Sequence, residues 1–227
     1  MNQGFNFNSQ KYDFWSVYEA IKKYYPIGIE REYPGIFFEY DGIKELENIV
    51  VQRIHDETNY HLEWVSFCEV LSEEIKLPII GTTYGQAPSF SAYILLDEEK
   101  NRVSNYYEEL HFCVSLVGTF YTIIGQSTTV VKNLEQDRFY TSVNKIESSP
   151  SKTTAKYFQI LKDRIESKYQ EFKFIPYFIS EQKIEGLRVR YRDESTNRIF
   201  HALFNDHIKF ESINIGDAYY GIEGWVK

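Results

Sequence analysis

Cysteine is nearly missing from this chain: Cys68 and Cys113 are the only two in 227 residues. They belong to no CxxC or comparable spacing, so neither a disulfide framework nor a zinc cassette organises the fold. Reduced thiols of an intracellular protein are the expectation. Long apolar runs are lacking too. No stretch reaches the roughly 18 apolar residues a membrane-spanning helix needs. The opening residues, MNQGFNFNSQKYDFW, have no basic segment followed by an apolar one, the mark of a secretory signal. A cytoplasmic chain without membrane association is therefore expected. Neither GxGxxG nor GxxxxGKS/T occurs anywhere, which removes support for nucleotide binding by those loops. There is no internal repeat, low-complexity tract or obvious linker. A single domain over 1–227 is favoured, with a subdivision near 150, at the turn-rich SSPSK, as the alternative.

Basic charge is scarce in one half. Residues 1–110 hold 9 Lys or Arg against 19 Asp or Glu, a net −10, whereas residues 111–227 stand at +2. A phosphate backbone is repelled by such a surface, so no nucleic-acid partner is expected. A basic protein partner is attracted and steered to it.

Aromatics are what the chain has in excess: 19 Tyr and 17 Phe, with Trp bringing the share to 17%. They suit half-buried strands and protein interfaces alike. Phe14, Val17, Tyr18, Ile21 and Tyr25 recur at helical spacing and predict a helix stopped at Pro26. GIFFEY (35–40) reads as a short strand. From Gly42 to Leu77 two apolar stripes, Leu46/Ile49/Val50/Ile54 and Leu62/Val65/Cys68/Leu71, predict two antiparallel helices broken at DETN, the second capped by Asn59. Short β-type runs follow Pro78, and the apolar stretch HFCVSLVGTFYTIIGQSTTVV (111–131) predicts two strands joined or bent at Gly118. Tyr157, Ile160, Leu161, Ile165 and Tyr169 mark one more helix, capped by Thr153 or Thr154. GLRVRYRDESTNRIFHALFND (186–206) resembles a hairpin around DESTN. Helices and strands are grouped rather than alternating, which predicts an α+β fold with a mainly antiparallel sheet and amphipathic helices packed against it.

Candidate chemistry is sparse. His111, Cys113 and Ser115 share one face of a strand, and with His201 or His207 they are the residues a small-molecule enzyme or a metal site would draw on. Cysteine more often serves as a small buried hydrophobe, and no GxSxG turn accompanies the histidines. No cofactor is implied. Two surface segments suit partner binding instead: the acidic helix bearing Glu63, Glu69, Glu73 and Glu74, and the C-terminal GDAYYGIEGWVK with Asp217, Tyr219, Tyr220, Glu223 and Trp225. Tyr and Trp are the residues that most often anchor interfaces.

HFCVSLVGTFYTIIG, GDAYYGIEGW and the acidic balance together resemble the general style of bacterial immunity proteins from polymorphic toxin systems. That resemblance implies a non-enzymatic cytoplasmic α+β protein that binds a toxin domain stoichiometrically and occludes its active site, acidic groups meeting a basic toxin surface. It carries over no functional residue. A homo-oligomer packed through its own aromatics is a further alternative.

Overall fold

Three long strands dominate the computed structural model, which describes residues 14–83, 85–133, 135–148, 153–189, 191, 197–210 and the backbone of 214–215. They are β2 (Ser89–Lys100), β3 (Ser104–Ser115) and β4 (Phe120–Asn133). With β1 (Ile79–Gly81), β5 (Arg138–Glu147), β6 (Lys173–Phe174) and β7 (Asn214–Ile215) they form one sheet in the order β1-β2-β3-β4-β5-β7, with β6 beside β4. Neighbours from β1 through β5 are antiparallel, while the two-residue strands β6 and β7 run parallel to β4 and β5. The fold is α+β with a mainly antiparallel sheet, as the grouping of elements predicts.

Both faces of that sheet are covered, which is why 111–131 is so apolar. Leu110, Phe112 and Val114 of β3 join Ile94 and Ile123 in one core, against Trp64, Cys68, Leu71, Phe158, Leu161 and Ile165. Cys113 and Ile124 point the other way, into a second core with Val17, Ile21, Ile43, Leu46, Val50 and the segment from Ile175 to Phe210. Residues from both sides of position 150 enter each core. The bend predicted at Gly118 is the turn between β3 and β4.

The helices divide between the faces. On one lie α1 (Phe14–Tyr24), α2 (Pro34–Phe37) and α3 (Asp41–His55). On the other lie α5 (Ser66–Ile75) and α6 (Ala155–Lys168). A short helix, α4 (Glu57–Tyr60), and a π-helical turn, His61–Val65, lead into α5. The helical region 42–77 is thus two helical segments, but they serve opposite faces of the sheet rather than forming one packed pair. The break is capped by Asp56, whose carboxylate accepts from the Asn59 N–H at 2.9 Å, and not by Asn59 itself. Gly42 lets α3 meet α1 backbone to backbone: a Cβ there would run into the Lys23 carbonyl oxygen and lie 2.8 Å from Tyr24 Cα. Arg53, in the last turn of α3, reaches across to the segment before β2, donating to the carbonyls of Gly85, Ala87 and Ser89 at 2.6, 2.7 and 2.8 Å.

Two expected β segments hold short helical turns in place of strands. GIFFEY contributes to α2, where Pro34 in the first turn sets a helical φ and Phe37 is buried against Phe38. The second arm of the expected hairpin is α8 (Ile199–Leu203), every residue of which is buried. A helical turn buried on all sides shows no 3.6-residue period, so a run such as IFHAL reads equally well as a strand. Tyr25 and Tyr191 donate their hydroxyls to the Ala202 and His201 carbonyls, at 3.0 and 2.6 Å. Another short helix, α7 (Tyr177–Ser180), packs nearby, and among the described residues the first arm, near Leu187, holds no strand.

Candidate partner-binding groove

The π-helical turn sets the site. One extra residue in a turn rotates the stripe that follows, so Leu62, expected inside, is 62% exposed while Trp64 is buried. Trp64 stacks on Phe90 at 5.4 Å and 14° and donates its indole N–H to the Ser91 carbonyl at 3.3 Å. The inward stripe becomes Trp64, Cys68, Leu71 and Ile75. Helix α5 ends on Lys76 in the left-handed region (φ 60°), and Ser72 Oγ donates to the Leu77 carbonyl at 2.8 Å, turning the chain into β1.

Between α5 and β1 this leaves an open groove of about 430 Å³. Trp64, Val65 and Cys68 floor it, Glu69 and Glu73 stand exposed at its helical rim, and Ile79 and Gly81 of β1 form the opposite wall. A Cβ built on Gly81 meets nothing within 4 Å, so the groove is open at that point.

The four predicted acids separate into two kinds. Glu74 is held by Arg164 of α6 through two hydrogen bonds of 2.8 and 2.9 Å, which pull its pKa below the usual carboxylate range. Glu63 lies 3.2 Å from Lys168 of the same helix. Glu69 and Glu73 have no cationic partner among the described residues. No family model, curated protein or solved structure matches this chain. Asp217, Tyr219, Tyr220, Glu223 and Trp225 lie outside the described residues.

The histidines and cysteines go elsewhere. His111 sits 3.0 Å from Glu109 and under the Tyr93 ring, and on the same face of β3 Cys113 accepts from the Asn205 amide at 3.3 Å. His207 is drawn nearby, bonded through Nε2 to the Thr82 carbonyl at 3.1 Å, whereas His201 packs among Phe200 and Phe210. Among the described residues no three His, Cys, Asp or Glu side chains converge as a metal set. Burial pushes the Cys113 thiol up to about 12, outweighing the Asn205 amide, so it stands protonated near neutral pH and is no nucleophile in this state. Cys68 is likewise pushed up to about 12 by burial, with Glu69 adding to it.

Sequence reasoning named Glu69 and Glu73 but missed the wall and floor that make them a site. The π-helical turn has no period to read; the one available signal was Pro78, which placed a strand start beside the end of an acidic helix.

Proposed function

We propose that this chain is a cytoplasmic protein-binding protein that holds a basic partner at the α5–β1 groove. The observation that carries the reading is the pair Glu69 and Glu73: exposed, without a cation among the described residues, and set over an apolar floor, while their neighbours Glu63 and Glu74 are engaged by α6. Carboxylates beside the half-buried side chains of Val65 and Ile79 offer charge steering and an apolar contact together. The −10 balance of residues 1–110 extends the attraction beyond the groove. In the fuller form of the proposal the partner is a toxin domain and this chain its immunity protein; the resemblance of its aromatic segments to that class supports this.

The test is capture of partners from lysate of the source organism by the tagged full-length chain, with proteins identified and quantified by mass spectrometry. Expected is one basic, stoichiometric partner released by salt, with retention falling about tenfold or more for Glu69→Lys/Glu73→Lys. Glu32→Lys/Glu135→Lys changes net charge equally at exposed positions outside the groove and should retain it. Equal loss in both variants, or no partner, overturns the reading. A partner that arrests growth alone, and fails to when this chain is co-produced, establishes the immunity role.

A further inference from the structure

Among the described residues the wall opposite Glu69 and Glu73 is a free sheet edge. Leu95 donates its N–H to the Pro78 carbonyl at 3.0 Å and Thr82 donates to the Ser91 carbonyl at 2.9 Å, so the backbone of 78, 80 and 82 is turned toward β2. In an antiparallel strand alternate residues turn their N–H and C=O to opposite sides. The peptide groups of Ile79 and Gly81 therefore point outward, and these are the two β1 residues that line the groove. Among the described residues β1 pairs with β2 alone. Ile79, Ile80 and Gly81 carry no charge to guard that edge, and Pro78 precedes them with its backbone turned toward β2.

We infer that the groove takes an extended segment of the partner as an added strand beside β1, with Lys or Arg at two alternate positions. This rests on the reading of the groove as a partner site. The added strand uses the outward N–H and C=O groups of Ile79 and Gly81, and every second side chain turns toward α5. There the aliphatic stem of Lys or Arg lies over Val65, and its charged head meets the rim. The spacing agrees: Glu69 and Glu73 stand about 6 Å apart along the helix axis, and i and i+2 side chains of a strand stand about 6.6–6.8 Å apart. A second copy of this chain is the wrong occupant. Two β1 edges paired about a two-fold axis would bring both acid pairs to one seam, four carboxylates with no cation between them.

The experiment selects nine-residue peptides from a displayed library on the immobilised full-length chain, then measures the affinity of the selected synthetic peptides by fluorescence anisotropy. Expected are sequences with Lys or Arg at i and i+2 among β-branched residues. Glu69→Gln/Glu73→Gln should weaken them about tenfold, and Gly81→Leu, whose Cβ has open space, should weaken them about tenfold while leaving the circular dichroism and Tm unchanged. N-methylation of the peptide amides facing β1 should also cost about tenfold. Selected peptides that need the glutamates but tolerate N-methylation overturn strand addition and leave the groove reading standing. Peptides indifferent to the glutamates, to Gly81→Leu and to N-methylation overturn both. A selection that yields no binder, or a chain that dimerises through β1, overturns strand addition by a partner segment.

Discussion

Replacing Arg53 tests how the helical layer is tied to the edge of the sheet. Among the described residues its guanidinium donates to the carbonyls of Gly85, Ala87 and Ser89; Ala87 and Ser89 are fully buried, while Gly85 is exposed. Hydrogen bonds to a charged donor contribute about 1.5–3 kcal/mol each, and a buried acceptor left alone costs about 1–3 kcal/mol. Water replaces the guanidinium at Gly85 but reaches the other two poorly. Arg53→Met, which keeps the aliphatic stem, should therefore lose about 3 kcal/mol. Arg53→Lys places one compact charge near the same helix end and can satisfy only part of the set, so it should lose about 2 kcal/mol. Urea unfolding followed by circular dichroism and tryptophan fluorescence measures both, with an unchanged m-value showing that the folded and unfolded ensembles are comparable. A loss under about 1 kcal/mol for Arg53→Met, or wild-type stability for Arg53→Lys, would refute the claim that this clamp fixes the segment before β2.

Gly42→Ala should destabilise by about 3 kcal/mol in the same assay, because the added Cβ collides with the α1 backbone; helix propensity alone predicts the opposite sign, so a neutral or stabilised variant sinks the close-approach argument. His207 tests the pH response of the second core. Burial lowers its pKa below 6.5, nearby His111 and Lys209 lower it further, and the Thr82 carbonyl and Asp206 oppose them. The unfolded chain therefore takes up a proton near pH 6.5 that the folded chain refuses. Stability from this group is retained above that pH and falls as pH drops through 6.5 toward the lower folded value. His207→Gln should flatten the fall between pH 7 and 5 in urea midpoints; an unaltered slope would show that His207 does not carry it.

The fold was legible where one period ruled a long segment. The alternation through His111, Phe112, Cys113 and Val114 and the helical face of Leu161 and Ile165 are patterns tens of atoms wide, and tertiary packing only confirms them. GIFFEY and IFHAL were not legible as helical turns, because a segment of about one turn is too short to show a 3.6-residue period and the choice falls to the surroundings. In the first, Pro34 favours the helical start. In the second, burial on every side and the hydroxyls of Tyr25 and Tyr191 on its last carbonyls decide it. The expected pairing of the two helices across DETN failed for a related reason: both have an apolar stripe, but a stripe states that a face is buried, not against which layer.

The candidate site was legible in its charges and illegible in its geometry, and the difference is one of range. Glu69 and Glu73 are one turn apart, so their joint placement on a helix follows from local periodicity. That they are the free pair depends on α6, whose Arg164 lies 90 residues from Glu74 and engages it; had α6 packed one turn earlier, its cations would have met a different pair. That they overlook a groove depends on two further events. The π-helical turn shifts Trp64 inward to make an apolar floor, and the register of β1 on β2 turns the peptide groups of Ile79 and Gly81 outward. A one-residue slip of that register would turn the peptide groups of Ile80 outward instead and leave Glu69 and Glu73 facing a wall with different donors. An acidic helix alone is thus an ordinary solvated face. In the proposed reading it becomes a recognition surface because a short strand in one register stands opposite it, and a slip of that register removes the surface.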